Sequence, residues 1–518
     1  MIMNEKPKSK LRWRLLRWGL VGLAVLVTLA GILVTEENWR GKRAWESYKQ
    51  AAAARGERLD LASVIPPPVP DEQNFFAAPI VAGAMQWKPK PNSEEWEDPA
   101  ANPTNRMNFN IYRGDSENWP QHGGSWQQGR LTDLKQWQTY FRMFNATPEG
   151  RTNGFPETAL PQSPAADILL ALSIFDPAVE ELRQAAARPY ARMPINYEDG
   201  FEAAGKLLPW LANTKRCGQF LQLRILAELE AGQGDKALDD VKLYLRLTDS
   251  LNNPRFLISQ LVRLAMLSIV LEPVYGGITR HSWSEAQLAE LEGELSREDV
   301  LAAFASAMNG EKVCAIDAFE KQRLTREIKT MEEVSGTVKV VTIKLRWVPA
   351  AYFYQNQLAL VRMHQELIRP LVDFTNRIVA PAALRQAQAT VQARMKHYSP
   401  YKVEAMMIFP ALAASVTKFA ILQAQVDLAR TACALERFRL AHGNFPETLD
   451  ALAPQYIPVL PHDLINGQPL HYRRTDDGKF VLYSVGWNEQ DDGGKVVLTK
   501  GGTVDNKKGD WVWQYPAK

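Results

Sequence analysis

Residues 431–494 read TACALERFRLAHGNFPETLDALAPQYIPVLPHDLINGQPLHYRRTDDGKFVLYSVGWNEQDDGG, and the change of period inside them decides the fold class. Leu428, Ala432, Leu435 and Phe438 recur at helical spacing and fall on one face. Gly443 follows His442 where such a helix stops, because glycine takes the left-handed conformation that gives the last carbonyls partners. Beyond it the period shortens. His471-Tyr472-Arg473 and Phe480 to Val485 read as strands, with Asp476-Asp477-Gly478 as the turn between them.

Upstream of this stretch the pattern is helical nearly throughout. Helices are expected over 131–145, 164–187, 199–213, 215–232, 235–249, 254–274, 284–294, 297–332, 351–375, 379–396 and 402–441. Leu221 to Asp249 has the form of a helical hairpin with a short glycine turn, although no strict repeat follows it. Thr337 to Trp347 alternates apolar and polar residues from Val341 onward and reads as a strand. Ala405 to Leu412 is too short between Glu404 and Lys418 to cross a membrane, so a core helix bent at Pro410 is expected. The fold class is therefore mainly α: an irregular helical bundle or α-solenoid body with a small C-terminal antiparallel β module.

The N-terminus adds a membrane helix. Trp18 to Val34 is 17 residues without a charge, close to the minimum for a span. Residues 1–17 hold six basic groups against Glu5, and Glu36-Glu37 follow the apolar run, which places the N-terminus in the cytoplasm. A retained anchor is favoured over a cleaved signal peptide because the apolar run continues past Thr28-Leu29-Ala30. The bulk of the chain is then exported, to the periplasm for an inner-membrane anchor. Asn38 to Leu61 reads as a polar helix with Trp39, Trp45 and Tyr48 as interfacial anchors, and Pro66 to Pro70 as an extended spacer. Trp87, Trp96, Trp119 and Trp126 punctuate a loop-rich segment, where they either offer a stacking platform or pin the segment to the body. The expected divisions are 1–35, 36–130, 131–430 and 431–518.

Charge and motif content narrow the chemistry. Lys and Arg number 61 against 58 Asp and Glu, and the basic excess sits in the first 17 residues, so the body offers no basic face for nucleic acid. Cys217, Cys314 and Cys433 are far apart without a C-x-x-C pair; three buried thiols are expected over one disulfide with a free thiol. No G-x-S-x-G, H-E-x-x-H or Walker loop occurs, and Gly232 to Ala237 sits between helices rather than after a strand. His364 and Glu366 are two apart on a helix and face different ways. Glu180-Glu181, Asp239-Asp240 and Glu332-Glu333 read as solvated faces. Asn488, Asp491, Asp492, Asp505 and Asp510 form an acidic, glycine-rich tail whose oxygen donors suit a structural calcium ion, or serve ordinary Asp-Gly turns.

The C-terminal stretch resembles the globular part of type II secretion major pseudopilins. Gly443, Phe445 and Pro446 match that family's turn after the helix, with Leu449 and Leu452 as the apolar positions beyond it. Asp463, Gly467, Pro469 and Tyr472 match its link, with Leu464 standing where the family has proline. Tyr483, Ser484 and Gly486 match its strand end. The resemblance covers residues 431–494 and implies a calcium in the tail. The family's processing site has no counterpart here, so pilin-type assembly is not implied. The whole chain resembles large, uncharacterised envelope proteins of planctomycete and verrucomicrobia type that end in such a module. The reading is a membrane-anchored envelope protein with a structural, protein-binding or secretion-associated role. The alternative is an exported hydrolase acting through paired carboxylates on glycan or peptide.

Overall fold

The first helix is longer than the apolar run that starts it. In the computed structural model, which describes residues 8–85, 88–89, 96–97, 105–120, 124–205, 207–252, 256–334, 337–396 and 399–516, α1 runs unbroken over Lys8–Ala54. Its first part is exposed, and its second part packs along α7 (Ala350–Met363). Asn38 Oδ1 accepts the Ala351 amide at 2.7 Å, and the Gln355 amide nitrogen donates to Glu37 at 3.1 Å. The free N–H groups at the start of α7 thus find a partner on α1. Gly41 permits the approach, since a Cβ there would lie 3.4 Å from the Ala351 Cα. Farther along, Trp45 is buried and stacks on Tyr48, so neither is an interfacial anchor, whereas Trp39 stays exposed.

The body between these helices and the C-terminus is mainly α. A helical hairpin, α2 (Leu208–Glu230) and α3 (Gly234–Asp249), packs on α4 (Leu257–Thr279). Its turn contains Gly232, as expected for an inter-helix turn. α5 (Glu285–Ser296) and α6 (Val300–Thr325) follow. At the centre is α8 (Val403–His442), 40 residues long with Pro410 inside it, against which α4, α5, α6 and α7 all pack. The cysteines are free and buried. Three helices among the described residues are long and apolar enough to cross a membrane. The apolar window of α1 is 0% buried, while those of α4 and α8 are 67% and 56% buried. The apolar windows of α4 and α8 are thus mostly buried within the fold, while that of α1 has no partner among the described residues.

Two expected helices end early. The run expected over 297–332 stops at Thr325, and Arg326 takes a left-handed conformation. The chain then forms a hairpin of β1 (Glu327–Val334) and β2 (Thr337–Lys344), in register Glu327↔Lys344. β-Branched residues opposite in β2 supply a ladder that outweighs the helix propensity of the charged stretch. The run expected over 351–375 gives way at His364–Ile368 to a π-helical turn. The expected 164–187 helix is broken by a short turn at Ser173–Phe175, just before Asp176-Pro177.

The C-terminal strands are where the period change puts them. β3 (His471–Arg474), β4 (Phe480–Ser484) and β7 (Trp511–Gln514) form an antiparallel sheet with β4 in the middle. β5 (Val496–Leu498) pairs with β6 (Val504–Gly509) beside it. This module is fused to the body. Trp513 is fully buried between Trp126 and Tyr275, at ring separations of 5.2 and 5.3 Å, and the Tyr275 hydroxyl donates to the Gln514 carbonyl. One hydrophobic core accordingly extends from Trp45 to Tyr515. Trp126 and the partly buried Trp119 pin the preceding loops, while Trp87 and the side chain of Trp96 lie outside the described residues.

Candidate functional site

The link, strand end and tail of the C-terminal module meet around two buried carboxylates. Asp463 Oδ1 accepts the Ser484 hydroxyl at 2.9 Å and the Ile465 amide at 2.9 Å, and Oδ2 accepts the Val485 amide at 2.8 Å. Gly486 follows with φ +72°, and a Cβ there would lie 2.5 Å from the Gly509 carbonyl oxygen. The Tyr472 hydroxyl donates to the Pro446 carbonyl at 2.7 Å. The recognisable letters of this stretch are thus a set of structural bonds.

The expected metal ligands divide into two groups. Asn488, Asp491, Asp492 and Asp510 converge on the loop after β4. Asp510 is buried and accepts the amides of Asp492, Gly494 and Lys495 at 3.2, 2.6 and 3.2 Å. Burial pushes its carboxyl up, against those three bonds. Asp491 accepts from Gly493 N–H and the Tyr483 hydroxyl, and the Gly493 bond leads in holding it below the usual range. Asn488 donates to Asp492 at 2.8 Å. Asp505 is bound within its own strand, to the Lys507 amide and the Lys508 ammonium group. Among the described residues no group of three His, Cys, Asp or Glu is arranged to hold a metal ion. Asn488 Oδ1 accepts the Gln490 amide at 3.3 Å and Asp491 Oδ2 lies 3.5 Å from His471, so a calcium ion, which takes hard oxygen donors, would replace these contacts.

A second site has no sequence motif behind it. Where the end of α1 meets α6 and α7, Glu57 lines two neighbouring recesses of about 590 and 420 Å³. Glu57 accepts from Lys312 at 2.6 Å and from Arg55 at 3.3 Å. Burial alone would raise its carboxyl, but those two bonds outweigh it and hold Glu57 below the usual range. In the larger recess, Asp60 bonded to Arg58 and Glu320 bonded to Arg323 are also lowered by their partners. The smaller recess has an apolar floor of Phe304, Met308 and Ile368, with Arg55, Lys312 and Arg369 around it. His364 opens the π-helical turn there with its Nε2 buried and unpartnered. Burial and the charge of Lys312 push His364 down to about 3, so it stays neutral. A neutral imidazole, Arg369, and Arg55 and Lys312 paired on the one carboxylate of Glu57, leave a net positive charge beside an apolar floor, which suits a ligand with an apolar body and an anionic end.

Other acidic pairs are placed as follows. Glu181 is bonded to Arg106, and Glu180 is exposed. Asp240 is fully buried, held by Arg183 and by Arg224, which also bonds Glu228 and Asp176. Burial pushes both Asp240 and Glu228 up. Only Asp239 of that pair faces solvent, so the expectation of a solvated pair fails at Asp240. The sole trace of this cluster in the sequence is the i,i+4 spacing of Arg224 and Glu228. Glu366 is exposed and bonded to Arg394, on a different face from His364, as their spacing requires. The side chains of Glu332 and Glu333 lie outside the described residues. Compared with family models, curated proteins and solved structures, the chain matches none of them.

Proposed function

We propose that this chain is a single-pass membrane-anchored binding protein of the bacterial envelope, with its N-terminus in the cytoplasm and its helical body exported. The observation that carries the reading is the continuity of α1, exposed over its apolar part and docked on α7 from Glu37 onward. A rigid helix that leaves the bilayer and enters the core directly holds a scaffold in a set orientation. The recess around Glu57 is the proposed binding site, and the pseudopilin-like module is a cap that links the role to secretion. A calcium ion on Asn488, Asp491 and Asp492, next to the Asp510 clamp, belongs to the same proposal.

The groove carboxylates favour this reading over a hydrolase. Glu57, Asp60 and Glu320 each have a basic partner that keeps them ionised, which serves charge recognition better than proton donation. The test is made on native membranes. The chain is expected to resist alkaline extraction, and photo-crosslinkers placed at Arg369 and Arg58 are expected to capture a distinct envelope component. Release by alkali, or crosslinking that recovers nothing from either position, overturns the proposal.

A further inference from the structure

The end of the body that faces the anchor carries an exposed apolar and basic rim among the described residues. α1 and α7 run parallel: Asn38 meets Ala351, Gly41 meets Tyr354 and Gln355, and Glu57 reaches the recess that His364 lines. α6 runs antiparallel to them, since Gln357 bonds the Ile316 carbonyl, Arg323 lies over Tyr354 and Arg326 over Phe353. The start of α7, the end of α6 and the base of the β1–β2 hairpin therefore all lie at the level of Glu37 and Asn38. Val34, the last residue of the apolar run, is four residues earlier on the same helix, about 6 Å along its axis.

At this level the surface is unusual. Trp347 is 95% exposed, the most exposed large hydrophobic side chain among the described residues of the body. Leu324 at the end of α6 is 65% exposed, Ile343 in β2 is 49% exposed and Trp39 on α1 is 59% exposed. Lys344 and Arg346 alternate with them, also exposed, and the Arg43 guanidinium lies over Trp39. The acidic groups near this level among the described residues include Glu36, Glu37, Glu327 and Glu404; Glu37 is bonded to Arg40 and Gln355, and Glu404 accepts the Tyr352 hydroxyl. The Trp347 turn is held in place, because Arg326 donates to the Val348 carbonyl at 2.6 Å and the Leu345 amide to the Arg326 carbonyl at 2.7 Å.

We propose that Ile343 to Trp347, together with Leu324 and Trp39, is a second membrane contact: this rim rests in the headgroup layer of the bilayer that α1 crosses. Tryptophan is enriched at that depth because its ring is apolar and its N–H polar, and lysine and arginine beside it meet lipid phosphates. The occupant follows from position, since the rim is continuous with the exit point of the anchor. The inference rests on the anchor reading of α1. Its consequence is that the body cannot swivel about the anchor, so the groove at Glu57 faces sideways along the membrane at a set height.

The test uses the full chain in phosphatidylethanolamine–phosphatidylglycerol vesicles. Buried Cys217, Cys314 and Cys433 leave an introduced cysteine as the reactive one. An environment-sensitive dye is attached at Trp347→Cys, at Val459→Cys in the exposed C-terminal module, and at Leu26→Cys in the anchor. Lipids spin-labelled near the headgroup are expected to quench the dye at 347 several-fold more than at 459. Quenching at 26 but water-like, unquenched emission at 347 overturns the inference and leaves the anchor standing. Blue-shifted emission at 347 that spin-labelled lipids do not quench also overturns it, since a protein then covers the rim. Absence of quenching at 26 overturns the anchor reading itself.

Discussion

Asp463 shows how much a single side chain does in this fold. Its two oxygens take three donors, from Ser484, Ile465 and Val485, and it is buried. Asp463→Ala leaves those donors unpaired in the interior, at roughly 1–3 kcal/mol for each buried group. The expected loss is on the order of 3 kcal/mol or more, read by denaturant unfolding in detergent, and Asp463→Asn should recover part of it. An unchanged midpoint would mean that water replaces the carboxylate. His364 makes a prediction about pH. Its folded value of about 3 lies below the ordinary 6.5, so the unfolded chain takes up a proton that the folded chain refuses between those values. Stability therefore falls as pH drops through that window, by up to about 1.4 kcal/mol per pH unit from this group. His364→Gln, which has no proton to take up, should lose less stability than the wild type between pH 7 and pH 5. Parallel curves would show that His364 is solvated.

At the scale of elements, the legible parts were those with a period. α8 and its stop at Gly443, β3, β4 and the inter-helix turn at Gly232 follow from spacing and glycine placement. β1 did not, because Glu327 to Val334 has helix-forming charges and becomes a strand only through its partner β2. Trp45 and Tyr48 read as interfacial anchors for a related reason: an aromatic after a span looks the same whether lipid or α7 receives it. The groove at Glu57 was invisible, since Glu57, Lys312 and His364 are far apart in sequence and form no motif. The contact that creates the groove can be tested at Gly41. A leucine there must fit where even a Cβ lies 3.4–3.5 Å from Ala351, Tyr354 and Gln355. Overpacking of this kind costs about 1–3 kcal/mol. Gly41→Leu should speed amide exchange over residues 41–54 while leaving the module around Trp513 unchanged. Equal protection in the two proteins would show that α1 docks without close approach.

For the whole molecule, the question is whether the C-terminal module is a domain or a part of the body. Sequence alone suggests a division near residue 431, because the recognisable pattern begins there. Packing argues otherwise: α8 runs through both parts, and Trp513 fills the space between Trp126 and Tyr275. Val379 donates to the Leu464 carbonyl, and Gln128 to the Gly502 carbonyl, so loops from both ends of the body close on the module. A boundary crossed by a helix and by a shared core does not unfold in two steps. Residues 36–518 are therefore expected to melt in one transition, followed in parallel by tryptophan fluorescence and far-ultraviolet circular dichroism. Trp513→Ala removes a fully buried indole, at about 3–5 kcal/mol, and should move that single transition to lower denaturant as a unit. If the module were independent, the variant would split the curve, with the helical signal surviving after the fluorescence change. Such a split would also separate the groove at Glu57 from the cap, and a ligand at the groove would then protect the body alone.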